Sequence, residues 1–423
     1  MSNLIIKNAT VIDPKTSTNE VKDIFIQDGF FAEKADSKAK VIDAKNLHLF
    51  PGFIDAHAHL RDPGQTSKET ISTGTKAAAA GGFTAILAMP NTNPKIDSTS
   101  SLKLLKELID SDSCIRVFPS ACITENSEGK KLAPIGTLKN AGAIAITDDG
   151  SCLQNNDLMR RALEYANMFD LIVMDHCQDA SMTARAQMNE GLMSAQLGLE
   201  GWPRAAEDII VSRNIILSKY ANARVHLQHI SSAFSVEMIR GAKNRGIKIT
   251  AEATPHHIAL NDSMLSTFDP NYKMNPPLRT DDDRNEIIKG LCDGTIDIIA
   301  TDHAPHSSSD KDVEFDYAPC GIIGFETAFP VCYETLVANG PMKLMRLIEL
   351  FTTAPAKLLN ISGGSLKIGE QADFVLADLN AEFLYNKTFS KSSNSPWIGK
   401  KLKSKIISTY FKGREVFNDS ERS

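Results

Sequence analysis

The stretch Pro51-Gly52-Phe53-Ile54-Asp55-Ala56-His57-Ala58-His59 narrows the fold and function more than any other part of the chain. Alternate residues of a β-strand share a face, so His57 and His59 project the same way where the apolar run ends. Two converging imidazoles suit Zn²⁺ or a similar ion but leave its coordination incomplete. The pattern therefore predicts further His or carboxylate ligands downstream. For an isolated His-x-His, the commoner interpretation is two polar residues on a strand that leaves the core.

Three later apolar runs also end in a potential ligand: residues 171–176, 224–229 and 297–302. Period-two parity puts His176, His229 and Asp302 on the apolar face of their runs, and the polar residues beside them on the opposite face. Each ligand then lies at the carboxyl end of a strand. If the strands are parallel neighbours, these distant residues meet in one place.

Strand-like runs alternate with helix-length segments through the middle of the chain. This alternation predicts parallel βαβ units and an α/β fold, a (β/α)8 TIM barrel, in which catalytic residues cluster at the carboxyl ends of the strands. A helix from about Lys68 to Ala80 is expected to end at Gly81-Gly82. The eight strand candidates are residues 51–59, 84–90, 115–123, 143–148, 171–176, 224–230, 248–254 and 297–302.

Both ends of the chain are β-rich. Residues 1–50 contain short strand patterns separated by Asp-Pro and Asp-Gly turns, and similar patterns return after Gly364. Each piece is too small to bury a good core alone. We therefore predict one composite β-sandwich domain, built from residues 1–50 and 362–423, beside a catalytic barrel of residues 51–361.

Composition narrows the class of protein. Among 423 residues, 42% are hydrophobic and 23% charged, as in ordinary globular proteins, and the formal charge of -6 gives no basic surface for nucleic acid. The seven cysteines are scattered, which predicts reduced thiols in the cytoplasm and no cysteine metal site. No stretch approaches the roughly 20 apolar residues of a membrane span, and no signal peptide precedes the first strand. A cytoplasmic protein without a membrane partner is expected.

Several longer motifs occur in a fixed order. They are Asp55-Ala56-His57-Ala58-His59-Leu60-Arg61-Asp62-Pro63-Gly64, Met89-Pro90-Asn91-Thr92, Thr147-Asp148-Asp149-Gly150, Met274-Asn275-Pro276-Pro277-Leu278-Arg279, Ala300-Thr301-Asp302-His303-Ala304-Pro305-His306, Gly321-Ile322-Ile323-Gly324-Phe325-Glu326-Thr327 and Ser365-Leu366-Lys367-Ile368-Gly369. The His-x-His start alone would fit any cyclic amidohydrolase. Together and in this order, the motifs resemble the bacterial class I dihydroorotases of the amidohydrolase superfamily, nearly from end to end.

This resemblance implies a metal centre, with Zn²⁺ as cofactor and two ions per chain, although Mn²⁺ and Co²⁺ also fit these ligand types. In many relatives a carboxylated lysine bridges the ions, but residues 143–150 contain no lysine. Parity cannot choose between Asp148 and Asp149 as the substitute, and the resemblance selects Asp149. A turn with carboxylates at the start of a loop is the alternative for this Asp-Asp-Gly. The implied ligands are His57, His59 and Asp302 for one ion, His176 and His229 for the other, and Asp149 between the two.

The resemblance also implies a substrate pocket. Arg61, Asn91 and His306 would bind the substrate carboxylate, and Asn275 would contact the ring. Asp302 would be the catalytic residue, a general base that turns acid. Asp55 shares the face of His57, so a buried carboxylate that orients a ligand imidazole is one expectation, and an ion pair inside the barrel is the other. Residues 307–318 are predicted to form either a mobile loop over the pocket or a plain surface loop.

The implied activity is that of a dihydroorotase, a metal-dependent cyclic amide hydrolase. Such an enzyme converts N-carbamoyl-L-aspartate reversibly to L-dihydroorotate in de novo pyrimidine biosynthesis. One alternative is a hydantoinase or allantoinase, against which the missing lysine and the set Arg61, Asn91 and His306 argue. Another is a non-catalytic dihydroorotase-like scaffold of aspartate transcarbamoylase, but here every ligand position is filled. A homodimer and an association with aspartate transcarbamoylase are expected from the resemblance alone.

Overall fold

The computed structural model describes residues 3–422, and its middle part is a parallel eight-stranded sheet. The sheet has the strand order β6-β7-β8-β9-β10-β13-β14-β15. A parallel bridge between Ala58 and His303 brings the last strand back to the first. In chain order the strands are β1 (Leu4–Asp13), β2 (Thr18–Gln27), β3 (Phe30–Ala32), β4 (Lys40–Asp43), β5 (His48–Pro51), β6 (Phe53–Ala58), β7 (Phe83–Ala88), β8 (Arg116–Ala121), β9 (Ala145–Ile146), β10 (Ile172–Asp175), β11 (Met188–Asn189), β12 (Gly201–Trp202), β13 (Val225–Leu227), β14 (Ile249–Ala253), β15 (Ile298–Ile299), β16 (Phe374–Tyr385), β17 (Lys400–Phe411) and β18 (Arg414–Asn418).

Helices connect the barrel strands, as the alternation in the sequence predicts. They are α1 (Ile71–Ala80), α2 (Thr99–Asp112), α3 (Ile135–Ala141), α4 (Asn156–Asn167), α5 (Leu192–Leu197), α6 (Ala205–Ala221), α7 (Ala233–Asn244), α8 (Pro255–Ala259), α9 (Asp281–Asp293), α10 (Ser308–Lys311), α11 (Phe325–Cys332), α12 (Leu344–Phe351) and α13 (Thr353–Leu359). A π-helical segment, Tyr333–Ala338, continues α11. Short 3-10 turns occur at Glu125–Ser127, Ala180–Met182, Asp262–Thr267, Pro270–Tyr272 and Asp419–Arg422.

The first helix begins three residues later than predicted, at Ile71 instead of Lys68. The side chain of Thr70 accepts a hydrogen bond from the backbone N–H of Thr73, which fixes the start of the helix. Its end at Gly81 agrees with the prediction.

The two ends of the chain form the second large sheet, with the strand order β18-β17-β16-β5-β1-β2-β3 and with β4 paired to β1. Strand β16 pairs with β5, so the C-terminal strands extend the N-terminal sheet. An apolar cluster that includes Leu4, Ile6, Phe374 and Tyr410 fills its core. The predicted fold class, a (β/α)8 TIM barrel with a composite β-sandwich domain from both termini, is confirmed. The first short strand patterns in residues 1–50 join into one continuous strand, β1, with a register shift between Ile6 and Ala9.

A group of aromatic rings closes the amino end of the barrel beneath β6. The ring of Phe53 lies 5.1 Å from that of Phe329 and 5.3 Å from that of Phe351. Gly52 lets the chain pass close to Thr84 just before β6, because a Cβ atom at position 52 would lie 2.1 Å from the side-chain oxygen of Thr84. These packed rings hold the amino end of β6 in place, and this positions the residues at the carboxyl end of the same strand. Among residues 3–422, no helix combines the length and the apolar character needed to cross a membrane.

Candidate metal centre

The six predicted ligands meet at the carboxyl ends of five barrel strands. His57 lies in β6 and His59 just beyond it, and the other four follow β9, β10, β13 and β15. A cleft of about 220 Å³ opens there. His57 is completely buried at its base. Five of the predicted ligands line the cleft: His59, Asp149, His176, His229 and Asp302.

Asp149 faces all four imidazoles. Its Oδ1 lies 3.3 Å from His57 Nε2, 3.8 Å from His176 Nδ1 and 3.9 Å from His229 Nε2. Its Oδ2 lies 3.4 Å from His59 Nε2. A carboxylate in this position could bind one metal ion with each of its oxygens, one beside each pair of imidazoles.

Asp302 completes one side of the cluster. Its Oδ1 lies 3.0 Å from His59 Nε2 and 3.6 Å from His57 Nε2. On the other side, His176 Nδ1 lies 2.8 Å from His229 Nε2. Two overlapping triads have donor atoms within 4.8 Å of one another: His57, His59 and Asp302, and His57, Asp149 and His229.

Strand parity could not decide which of Asp148 and Asp149 faces the cleft, and the structure shows that Asp149 does. Asp148 turns away from the cleft and accepts hydrogen bonds from the backbone N–H groups of Ile123 at 2.8 Å and Thr124 at 3.1 Å. Asp149 is the residue that lines the cleft. Strand β9 ends at Ile146, so strand parity no longer applies at positions 148 and 149.

The donor set fits a cation, as the orphaned nitrogen of His57 indicates. Its Nδ1 lies 2.6 Å from Glu252 Oε1, so that nitrogen donates a hydrogen bond and Nε2 is the atom left to hold a cation. Nε2 is buried and has no hydrogen-bond partner within residues 3–422. It nevertheless faces the carboxylates of Asp149 and Asp302. Lone pairs directed at carboxylates repel unless a cation lies between them, and imidazole with carboxylate is a usual ligand set for Zn²⁺.

Electrostatics favour a positive charge at His57 Nε2, carried by a proton or by a metal ion that replaces it. Burial opposes charge on both partners, but the carboxylates of Glu252, Asp149 and Asp302 outweigh it and raise the pKa of His57 well above its usual value. Burial also works against ionisation of Asp302, yet His57 and His59 hold its pKa below the usual range. For His229, burial and the nearby imidazoles lower the pKa to about 3. The carboxylates are therefore ionised and His229 is neutral, as metal binding requires.

Backbone geometry turns three of the site residues inward. Arg61, His229 and Asp302 have φ values of 60°, 31° and 46°, in the left-handed region that side-chain-bearing residues rarely occupy. Such conformations cost of order 1–3 kcal/mol each and cluster at functional sites. Here they lie where the chain leaves a barrel strand, next to or within the ligand set.

Hydrogen bonds orient three of the four imidazoles, and the sequence patterns did not identify the acceptors as such. The Nε2–H of His176 donates to Gln178 Oε1 at 2.7 Å, which leaves Nδ1 facing the cleft. The Nδ1–H of His59 donates to Asn91 Oδ1 at 2.9 Å, which leaves Nε2 for the centre. Glu252 does the same for His57. Gln178 lies only two residues beyond its imidazole, a proximity that could have been noticed in the sequence.

The expectation for Asp55 is wrong. Its carboxylate accepts hydrogen bonds from the backbone N–H groups of His57 at 3.1 Å and Thr301 at 3.0 Å, and it does not orient an imidazole. It therefore ties β6 to the segment after β15 and helps close the barrel. Burial raises the pKa of Asp55 to about 7.

Polar residues beside the ligands point elsewhere, as parity predicts. Asp175 accepts a hydrogen bond from Arg213 Nη2 at 2.7 Å, on the helix side of the barrel. His303 lies 3.3 Å from Glu69, also outside the cleft. His226 contacts Glu252.

The predicted substrate residues also border the cleft. Arg61, Asn91, Asn275 and His306 all line it. Arg61 is held by one hydrogen bond, from its Nε to the carbonyl oxygen of Pro305 at 3.2 Å. Asn275 Oδ1 is buried and has no partner among the described residues.

His306 lies in the cleft as a neutral imidazole. Burial, with the charges of Arg61, Lys311 and Lys68, lowers its pKa to about 3. Its Nε2–H donates to the carbonyl oxygen of Cys320 at 2.9 Å. It can thus contact a ligand without contributing a positive charge.

Residues 307–318 are anchored at two points. Lys273 Nζ donates to the carbonyl oxygens of Phe315 at 2.8 Å and Asp316 at 3.0 Å. Lys311 Nζ donates to the carbonyl oxygen of Pro270 at 3.0 Å. Both lysine side chains are buried, so these two points hold the segment against residues 270–273, while most of its other residues are exposed.

A parallel barrel that gathers imidazoles and carboxylates at its carboxyl end, with a β domain from both termini, defines a metal-dependent hydrolase of the amidohydrolase class. Comparison with solved structures agrees on the fold. The L-hydantoinase (dihydropyrimidinase) of Arthrobacter aurescens superimposes with a TM-score of 0.89 at 23% identity, covering 99% of this chain and 96% of that one. A dihydropyrimidinase from Brevibacillus agri gives a TM-score of 0.86 at 22% identity, covering 99% and 95%.

Sequence comparison gives the family. Residues 47–235 match the family described as Dihydro-orotase-like. The dihydroorotase of Acetivibrio thermocellus is 45% identical over 98% of this chain and 99% of its own length, and that of Elusimicrobium minutum is 45% identical over 97% and 96%. The chain belongs to the dihydroorotase family, whose members are metal-dependent cyclic amide hydrolases.

Proposed function

We propose that this protein is an active dihydroorotase that interconverts N-carbamoyl-L-aspartate and L-dihydroorotate for de novo pyrimidine biosynthesis. The observation that carries the proposal is the orphaned Nε2 of His57, which faces two buried carboxylates at the base of a cleft lined by three more imidazoles. Every position expected to bind metal is filled, which argues against a non-catalytic scaffold.

Two Zn²⁺ ions are proposed for the centre. His57, His59 and Asp302 would hold one ion, His176 and His229 the other, and Asp149 would bridge them. When bound, divalent ions lower the pKa of water from 15.7 to about 7 and polarise a carbonyl oxygen.

Asp302 is proposed to move the proton. It lies on the cleft side of the centre, where its carboxylate can accept a proton from the attacking water and deliver it to the ring nitrogen as the amide bond breaks. The reverse steps close the ring: Asp302 removes a proton from the carbamoyl nitrogen, which attacks the carboxyl carbon, and the proton then returns from Asp302 to the departing carboxyl oxygen, which leaves as water. General acid–base catalysis of this kind contributes about 10²- to 10⁴-fold.

Three side chains are proposed to bind the carboxylate on the ring, and one to bind the ring itself. Within residues 3–422 the guanidinium of Arg61 is hydrogen-bonded through Nε alone, so its two terminal nitrogens are available for a bidentate pair with a carboxylate. Asn91 and His306 lie beside it in the cleft. Asn275 Oδ1, buried and unpaired among residues 3–422, is positioned to accept a ring N–H.

We predict that Arg61→Met raises KM roughly 10- to 100-fold and lowers kcat less, because a charged hydrogen bond contributes about 1.5–3 kcal/mol and this one binds an unreacting group. Steady-state kinetics in the hydrolytic direction measure both constants. Arg161→Met is the control, since Arg161 is exposed and paired with Asp157 on α4. An unaltered KM in the Arg61 variant would remove this residue from the carboxylate site.

The activity itself is tested by following the loss of dihydroorotate absorbance with purified protein, before and after chelation. We expect turnover that a chelator abolishes and added Zn²⁺ restores. Inactivity after reconstitution with Zn²⁺ would refute the proposal and favour a scaffold. Activity on hydantoin or allantoin alone would indicate a different ring specificity on the same centre.

Further proposals concern the domain boundaries, the partners and the cellular location of the protein. We propose residues 51–361 as the catalytic domain and residues 1–50 with 362–423 as the β domain. A homodimer, association with aspartate transcarbamoylase and a cytoplasmic location are proposed from the family. The seven cysteines, all free thiols, support a reducing compartment.

A further inference from the structure

Glu252 lies on β14 directly behind the metal centre, and no step of the proposed reaction uses it. Its side chain is completely buried. Oε1 lies 2.6 Å from His57 Nδ1 and 3.2 Å from the backbone nitrogen of His229, and Oε2 lies 2.9 Å from His226 Nε2. One carboxylate thus receives hydrogen bonds from two proposed metal ligands, one in each half of the centre.

These contacts determine which nitrogen His57 presents to the cleft. A neutral imidazole that donates through Nδ1 has its lone pair on Nε2, and Nε2 is the atom that faces Asp149 and Asp302. The hydrogen bond from the backbone N–H of His229 stabilises the other half of the metal centre. There the φ value of His229 is 31°, which a histidine rarely adopts without such support.

We propose that Glu252 is a positioning residue that holds both halves of the metal centre, by fixing the tautomer of His57 and the backbone of His229, and that its charge strengthens metal binding. This inference rests on the metal-binding roles proposed above for His57 and His229.

The negative charge of Glu252 would offset part of the positive charge of the bound metal ions. Asp149 and Asp302 offset only part of the positive charge that two divalent ions bring to a buried site. Glu252 adds a third carboxylate one hydrogen bond away from a ligand. Carboxylates that accept a hydrogen bond from a metal-bound imidazole raise its basicity, and their loss typically weakens metal affinity 10- to 100-fold.

Glu252→Gln separates this role from packing. Glutamine has the same shape, and its oxygen can still accept the Nδ1–H of His57. Its amide N–H can donate to His226 Nε2 once the His226 proton moves to Nδ1, which lies 2.9 Å from Thr250 Oγ1. The substitution therefore removes the charge and leaves the side-chain contacts available.

The experiment measures Zn²⁺ affinity of the full-length protein by competition with a chromophoric chelator, and the visible absorption of the Co²⁺-loaded protein. For Glu252→Gln we expect affinity about 10- to 100-fold below wild type. The Co²⁺ spectrum is expected to shift, because the ligand field at His57 changes.

Glu207→Gln is the matched control. Glu207 is equally buried and accepts hydrogen bonds from the backbone nitrogens of Ser231 at 3.1 Å and Ser232 at 3.0 Å, just beyond His229. We expect this variant to melt at a lower temperature yet bind Zn²⁺ within about threefold of wild type, because no imidazole bond is lost.

Two outcomes would overturn the inference: Zn²⁺ affinity of Glu252→Gln within about threefold of wild type, or an equal loss in Glu207→Gln. If the glutamine variant does not fold, Glu252→Asp replaces it. Aspartate keeps the charge but is one methylene too short to reach His57, so weaker binding is again expected, and wild-type affinity would refute the role. A wild-type protein that binds no Zn²⁺ would refute the proposed function itself.

Discussion

Asp302→Asn is expected to lower kcat by about 10²- to 10⁴-fold while the protein retains metal, an effect of roughly 3–5 kcal/mol on the barrier. Asparagine keeps an oxygen at the position that lies 3.0 Å from His59 Nε2 but cannot accept a proton from water. It also tolerates the left-handed backbone at position 302, where φ is 46°. Alanine would remove ligand and base together, so asparagine is the informative substitution.

The measurement pairs turnover of dihydroorotate with metal content per chain. Asp297→Asn is the control, since Asp297 pairs with Lys243 at the opposite end of β15 and lies outside the cleft. Full metal content with turnover lost would assign proton transfer to Asp302. Turnover within tenfold of wild type would exclude Asp302 as the general base, and loss of metal in the variant would show that its binding role dominates.

The fold could be predicted because barrel strands carry local signals. Seven of the eight predicted ranges contain the strand observed there, and β7 begins one residue before its range. Period-two alternation identifies three of the ligands that follow these strands. His176, His229 and Asp302 share a face with apolar neighbours, and all three line the cleft. The β domain was harder to delimit, because strand β16 from one end of the chain pairs with β5 from the other.

The hydrogen bonds behind the ligands could not be predicted from local sequence. Glu252 lies 195 residues from His57 in the chain, within a short apolar strand where a carboxylate has no periodic signature. Asp55 shares a strand face with His57, which predicts that it orients that ligand, yet it pairs with Thr301, which follows the last barrel strand. In both cases the partner is decided by barrel closure, which sequence spacing does not contain.

Positions 148 and 149 show that strand alternation predicts side-chain direction only within the strand. Strand β9 spans only Ala145–Ile146, so the chain has left the sheet before either aspartate. Gly150 has a φ of 76°, and the turn it allows directs Asp149 toward the cleft. The resemblance to a family selected the residue that alternation could not.

Asp149→Ala is expected to reduce bound metal to at most one ion per chain and to abolish turnover, because this carboxylate alone faces both pairs of imidazoles. Its Oδ1 lies 3.3 Å from His57 Nε2 and 3.9 Å from His229 Nε2, and its Oδ2 lies 3.4 Å from His59 Nε2. Without it, the imidazoles of His176 and His229 would be the only proposed protein ligands of their ion, fewer than the three that catalytic zinc sites usually have.

Elemental analysis of the purified variant, after dialysis against metal-free buffer, measures the number of ions retained. Asp148→Ala is the control from the same turn: it removes acceptors for the backbone of Ile123 and Thr124, so we expect a lower melting temperature with both ions kept. Two ions in the Asp149 variant would contradict the bridging assignment. Loss of metal in the Asp148 variant alone would reassign the bridge to the neighbouring carboxylate.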